Sequence, residues 1–453
     1  MPPFVIVTKL LSRMLEVRSW TEAEIVHPLP LRVNFAWTFA GNVTYALCQW
    51  GVMMALAKLG TPEVVGRFAL GLAVTAPVVL FTGLALRAVQ ATDAQRTYRF
   101  GDYLALRLAT TVIALLIIIG IVWAGEYGGE TTWVILLIGL AKAFEAISDI
   151  FYGLFQQHER MDRVATSMMI KGPLSLVALA AAVFATRQTW VGAAALAVAW
   201  ALVLVLYDIP NGAALLRDLS GQGNVWVRWH WPTLFRLVRL SFPLGLTVML
   251  ISLNTNIPRY FVERYWGERE LGFFAAAAYL MVAGTTVVNA LGQSASPRLA
   301  RYYAFGDKRG FPHLLLRFIG IGLVLGISGI LISLLAGREI LTLLYREEYA
   351  ELNNVLVWVM VAATLSYIAS FLGYAMTAAH YFAAQPVILG VVALVNGLFC
   401  MAFVPRYGPL GAAWALGMAH LLQVLVFLAC VVIAVQRLPR RELRREVHYE
   451  LER

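Results

Sequence analysis

LGTPEVVGRFALG (59–71) and WGERELGFFAAAA (266–278) are two versions of one motif. Gly66 matches Gly272, Phe68 matches Phe274 and Ala69 matches Ala275, each at an offset of 206 residues. Each version follows a long apolar run and a short charged loop. Each leads into a second apolar run that ends in polar and basic residues, LRAVQATDAQR (86–96) in one case and GQSASPRLAR (292–301) in the other. A helix needs roughly 20 mostly apolar residues to cross a bilayer. Runs of that kind occur twelve times, at 33–58, 66–91, 104–124, 132–156, 164–186, 190–210, 240–262, 271–297, 314–336, 354–378, 386–405 and 409–436. Six precede the polar stretch near 211–240 and six follow it. An even number per half makes both halves face the same way, as in a parallel repeat about an axis along the membrane normal. The expected fold is all-α: a polytopic membrane protein with twelve transmembrane helices in two six-helix lobes. The expected divisions are an N-terminal segment (1–32), an N-lobe (33–215), an inter-lobe linker (216–239), a C-lobe (240–436) and a C-terminal tail (437–453).

Composition agrees. Of 453 residues, 60% are hydrophobic and 14% charged, against about 45–50% and 25% in soluble domains. That excludes a soluble enzyme, a disordered chain and a nucleic-acid-binding domain. The net charge of +10 is a matter of topology. With the N-terminus in the cytoplasm, inner segments hold 26 of the 36 Lys and Arg, outer segments hold 9, and Lys142 lies within a run. The positive-inside rule then puts both termini in the cytoplasm. Outer loops are too short for a catalytic domain. Cys48, Cys400 and Cys430 sit in apolar runs without ligand spacing, so no disulfide, metal site or cofactor is expected. FVIVTKLLSRMLEVRSW (4–20) reads as a surface-lying helix or a loose tail. VWVRWHWP (225–232) suits the headgroup layer, and the basic C-terminus suits anionic lipid.

Ionisable groups inside a bilayer cost roughly 2.5–3.5 kcal/mol each on insertion scales, so they need a reason. AKAFEAISDIFYG (141–153) puts Lys142, Glu145 and Asp149 on one helix face. Lys171 lies at the depth of Asp149 on the next run, counted from the hairpin tip near 159–160. The expected pairs are Asp149–Lys171 and, one turn deeper, Lys142–Glu145. Such pairs either clip helices together or leave Glu145 or Asp149 to titrate or meet substrate. In the seventh run, Asn254, Asn256 and Arg259 crowd around Pro258, and Pro243 breaks the start. That pattern fits an unwound, cavity-lining helix. Arg259 offers a planar fork for an anion, or snorkels to the outer boundary. Asn289 and Gln293 are candidates for the same cavity. Arg87 and Arg298 are candidates for inner-mouth cations, or for positive-inside anchors.

Three stretches carry a family resemblance: LRAVQATD…YRFGDYLALR, AFEAISDIFYGLFQQHERMDRVATSMMIKGPLSL and NIPRYFVERYWGERELGFFAAAAYL. They resemble the polysaccharide transporter family of the O-antigen flippase (Wzx-like) type. Its superfamily also holds multidrug antiporters and peptidoglycan-precursor flippases. The resemblance covers nearly all of 33–436. It implies a V-shaped, two-lobed bundle whose first, second, seventh and eighth spans line a cavity. It implies translocation of a polyprenyl-diphosphate-linked oligosaccharide across a bacterial inner membrane, for lipopolysaccharide or a similar polymer. Glycosyltransferases or a polymerase of the pathway are candidate partners, beside membrane lipid. The family's cavities are cationic, a feature carried here by Arg259 in the PRYF segment and by Lys142. No ion-coupling site carries over. The alternative is a cation-coupled multidrug or small-molecule antiporter of the same fold, which the net-basic intramembrane charges oppose. A sugar-polymerising enzyme lacks the outer loop it needs, and a passive scaffold would leave the buried charges inert.

Overall fold

In lipid a backbone satisfies its polar groups most simply within a helix, and the apolar runs of this chain are helical, with the second, expected as one span over 66–91, broken at Leu84–Ala85. The structure, a computed structural model, describes residues 29–93, 97–220, 227–381 and 384–437. The N-terminal 4–20 stretch, most of the C-terminal tail and Val225–Trp226 lie outside them. In chain order the helices are α1 (Leu31–Leu59), α2 (Pro62–Gly83), α3 (Leu86–Thr92), α4 (Phe100–Gly125), α5 (Gly129–Gln157), α6 (Met161–Thr186) and α7 (Thr189–Val203). A π-helical turn (Leu204–Asp208) joins α7 to α8 (Ile209–Ser220). Then come α9 (Trp231–Ala304), α10 (Gly310–Leu344), a short 3-10 turn (Glu347–Leu352), α11 (Asn353–Ala378) and α12 (Gln385–Gln436). Among the described residues every element is helical. Eight helical stretches are long and apolar enough to cross a membrane, which makes this a multi-pass membrane protein. Two of them, α9 and α12, each join two of the apolar runs across a glycine. Gly267 has φ 81° and Gly408 has φ 56°, conformations that L side chains rarely adopt.

The seventh run corrects one expectation. The first half of α9 continues through Pro243 and Pro258 without unwinding, and Gly267 alone departs from helical geometry. A helical proline frees the carbonyl four residues earlier, here that of Asn254. Asn396 of α12 supplies the missing donor, its Nδ2 lying 2.8 Å from Asn254 O. Asn254 Nδ2 in turn donates to Leu389 O of α12 at 3.1 Å. Satisfied in this way, the helix has no cause to open.

The two motif glycines meet. A Cβ on Gly66 would lie 1.8 Å from Glu268 O, and a Cβ on Gly272 would lie 1.9 Å from Pro62 O. Pro62 and Glu268 are themselves 206 residues apart, so the contact repeats itself under the offset seen in the sequence. Ion pairs surround it. Arg269 reaches Glu63 at 3.1 Å, another pair at the same offset, and Glu348 at 3.2 Å. Arg67 reaches Glu268 at 2.6 Å and also pairs with Glu130, and Tyr260 donates to Ala73 O. At the other end of α2, Phe81 and Phe242 meet edge-on at 5.7 Å. There Leu234 and Leu237 bury themselves among Leu84, Leu86 and Tyr103. Trp229 and Trp231 stay exposed beside them, with ring centroids 6.2 Å apart.

At Gly66 and Gly272 the intruding atoms are backbone carbonyls, which cannot step aside. Gly66→Ala and Gly272→Ala should each cost about 2 kcal/mol, the scale of overpacking a close contact. Gly120→Ala has open space around the new methyl and serves as the control. Thermal melting in detergent reads the outcome: a wild-type midpoint for both motif variants would contradict the crossing.

Candidate functional site

α2 ends in two successive left-handed residues, Leu84 (φ 52°) and Ala85 (φ 48°). Such backbone is costly for non-glycine residues and is held only where the surroundings fix it. The turn lays α3 against α5. Gly153 makes the approach possible, because a Cβ there would meet Gln90 Oε1 at 2.4 Å. α3 thereby places Arg87 over the polar face of α5. Its Nη1 donates to Asp149 Oδ1 at 3.2 Å and its Nε to Gln156 Oε1 at 3.2 Å. Arg107 enters from α4, passing Gly83, where a Cβ would lie 2.9 Å from its Nη1. Arg107 is 4% exposed and its Nη2 lies 3.6 Å from Asp149 Oδ2. Two guanidinium groups thus share one carboxylate.

One turn along α5, Lys142 Nζ donates to Glu145 Oε2 at 2.7 Å, as expected from the sequence. Glu145 Oε1 also accepts from Tyr45 OH of α1 at 2.8 Å, and Lys142 lies 5.0 Å from the centroid of the Trp200 ring. The expected Asp149–Lys171 pair is not formed. Lys171 is 1% exposed. It donates to Tyr152 OH at 2.9 Å and faces Asp208 Oδ2 at 4.0 Å. Tyr152 OH and Ser167 Oγ are hydrogen-bonded at 2.7 Å, and Ser167 donates to Asp208 Oδ1 at 2.6 Å. The Tyr152 ring has Arg87 at 5.4 Å and Lys171 at 5.0 Å from its centroid. Depth along the helices was readable from the rise per residue. The relative rotation of α5 and α6 was not, and Asp149 turns to Arg87 and Arg107 while Lys171 turns to Tyr152 and Asp208.

These groups line a cavity of about 320 Å³. Its ionisable lining is Arg87, Arg107, Lys142 and Lys171 against Glu145 and Asp149, so positive charge is in excess. Val248 of α9 closes one wall. Charge-assisted donors of this kind grip an anion with several oxygens, and the guanidinium fork matches a phosphate. Sequence reasoning found five of the six. The sixth is Arg107, near the start of its run, and Asp208, near the end of its run, stands behind them against Lys171. The glycine at position 83, opposite Arg107, left no sequence signal on its own.

A second cavity, of about 280 Å³, lies among α9, α11 and α12. Asn254 and Asn289 line it together with Ser370, Gln385, His420 and Gln423, and no Asp, Glu, Lys or Arg does. Arg259 lines neither cavity. It is half-buried, with Nη1 donating to Asn256 Oδ1 at 2.9 Å and Nε shielded without a partner. Gln293 and Arg298 are exposed. Among the described residues no group of three His, Cys, Asp or Glu could hold a metal ion.

Residues 31–303 match the family model described as "Polysaccharide biosynthesis protein". The chain is also 30% identical over 383 residues to the capsular polysaccharide biosynthesis protein CapF of Staphylococcus aureus, covering 84% of this chain and 94% of that one. The chain belongs to the polysaccharide biosynthesis protein family. The matched stretch holds the whole cationic cavity and both motif glycines. Solved structures share the fold of this family member. An inward-facing multidrug resistance MATE transporter of the MOP superfamily superposes with a TM-score of 0.70 at 13% identity, over 87% of this chain and 96% of that one. The lipid II flippase MurJ in an inward closed conformation does so with 0.68 at 12%, over 89% and 88%.

The Lys171–Asp208 pair offers a direct test of the buried network. Removing one partner of a buried pair costs about 3–5 kcal/mol, whereas replacing both by apolar groups is close to neutral. Asp208→Leu alone should therefore lower the melting midpoint strongly, and Lys171→Met added to it should restore most of the loss. A double variant no better than the single one would show that the two residues are not coupled.

Proposed function

We propose that this protein is a flippase that moves polyprenyl-diphosphate-linked oligosaccharides across a bacterial inner membrane by alternating access. The observation that carries the reading is the excess of cations in the α2–α6 cavity. Membership of a polysaccharide biosynthesis family and a fold shared with a lipid II flippase support it. The excess of basic residues on one side of the helices supports twelve crossings with both termini in the cytoplasm. In that orientation the Gly66–Gly272 crossing closes the outer end, and the Arg87 end meets the cytoplasm. The lobes comprise residues 33–215 and 240–436, joined by the 216–239 linker. The pathway's glycosyltransferases and polymerase are its expected partners.

The diphosphate headgroup enters at the Arg87 end and takes the place of Asp149 between Arg87 and Arg107. Those two contacts, at 3.2 and 3.6 Å, are loose enough to exchange. The polyprenyl tail stays in lipid. Outward opening then requires the Arg67–Glu268 and Arg269–Glu63 pairs to part. With the cell interior negative, outward movement of an anion is favoured by about 2.3 kcal/mol per charge per 100 mV. About two charges on a diphosphate make the membrane potential a sufficient drive. A cationic drug, as in an antiporter, would face repulsion from Arg87, Arg107, Lys142 and Lys171.

Liposomes containing the purified protein and a fluorescent polyprenyl-diphosphate oligosaccharide test the reading. Arg87→Gln should slow flipping about tenfold or more, since a charge-assisted hydrogen bond is worth ~1.5–3 kcal/mol. Collapsing the potential at fixed pH should slow it further. Normal flux in Arg87→Gln would remove the cavity from the transport path, and flux indifferent to the potential would remove the potential as the drive.

A further inference from the structure

We propose that the cavity among α9, α11 and α12 is a receptor for one uncharged glycosyl unit of the transported lipid. The inference rests on the flippase reading and adds a second subsite to it. The cavity is built for neutral polar matter. It offers amides, hydroxyls and an imidazole but no ionised side chain. A bare cation would find no carboxylate there, and an anion no ammonium or guanidinium.

Two buried acceptors point to the kind of ligand. Asn254 is 4% exposed and His420 is 6% exposed. The amide nitrogen of Asn254 is committed to Leu250 O and Leu389 O, and its Oδ1 has no partner. His420 Nδ1 lies 3.3 Å from Gln423 Oε1. That oxygen only accepts, so Nδ1 carries the proton and Nε2 is an acceptor, also without a partner. A buried acceptor left empty costs about 1–3 kcal/mol. Both atoms lie just beneath the accessible surface of the cavity, so a glycosyl unit reaches them with a small side-chain turn; sugar hydroxyls and acetamido N–H groups are then donors of the right kind. Tyr374 adds an aromatic face to the lining. It lies so close to α9 that a Cβ on Gly292 would meet its ring at 2.1 Å.

The two cavities are also within reach of one molecule. Val248 lines the cationic one, and Ile251 and Thr255 line the neutral one. Val248 and Thr255 are two helical turns apart, about 10 Å along α9. A diphosphate at one level of this helix and its attached sugar two turns further along it is a spacing that a single headgroup can span.

The test uses the full-length protein in nanodiscs and three probes: farnesyl diphosphate, its conjugate with one neutral N-acetylhexosamine, and its conjugate with one hexuronic acid. Calorimetric titration gives the ratio of each conjugate's affinity to that of the bare diphosphate. The neutral sugar should raise affinity about tenfold, as one or two satisfied buried acceptors would, and the acidic sugar should not. His420→Leu should bring the neutral-sugar ratio to near one. So should Asn289→Ala, which alters an exposed side chain and does not threaten folding. Arg87→Gln should weaken all probes alike and keep the ratio. A wild-type ratio near one, or a ratio that survives both His420→Leu and Asn289→Ala, overturns the sugar subsite. Failure of every probe to bind overturns the flippase reading itself, and the subsite with it.

Discussion

Everything in this molecule is hung from a backbone contact between Gly66 and Gly272. Two helices approach until the carbonyl of one occupies the space where a side chain of the other would stand. Contacts this close are available only to glycine, and they hold by van der Waals attraction and shape, since lipid offers no hydrophobic drive between helices. The surrounding ion pairs, Arg67 with Glu268 and Arg269 with Glu63, add charge that aqueous exposure can exchange. The joint is thus a tight backbone contact within a ring of ion pairs.

The polar interior of the N-terminal half obeys a different rule. Each charge there answers another: Asp149 serves two arginines, Glu145 serves Lys142 and Tyr45, and Asp208 answers Lys171 through Ser167 and Tyr152. Compensation lowers the cost of burial without neutralising the cavity, because basic groups outnumber acidic ones on its lining. Around its own cavity the C-terminal half uses no ions, and amides bridge α9 and α12 instead. One cavity therefore offers charge and the other offers neutral hydrogen bonding, at two levels along a single helix.

Much of this was legible in the sequence. The 206-residue offset that relates Gly66 to Gly272 also relates Glu63 to Arg269, which are in contact. The helices follow from hydropathy, and Lys142 with Glu145 follows from helical spacing. What stayed hidden depends on rotation about helix axes and on neighbours distant in the chain. Asp149 and Lys171 lie at similar depth but turn to different partners. Arg107 and Asp208 sit near the ends of their runs, where hydropathy reads charges as belonging to the headgroups. Pro258 signalled an opened helix, and only the fold could reveal that Asn396, far along the chain, holds the carbonyl it frees.

That last arrangement bears on how the chain can change over generations. Replacing Pro258 by an ordinary residue would restore an N–H to its own helix, and the Asn254 carbonyl, with two lone pairs, can accept it beside the Asn396 amide. Replacing Asn396 by an apolar residue while Pro258 remains would strand that carbonyl. The order of change therefore matters: the proline can go first, the asparagine cannot. Position 396 is thus expected to be free to vary only in related proteins that have lost the proline at 258.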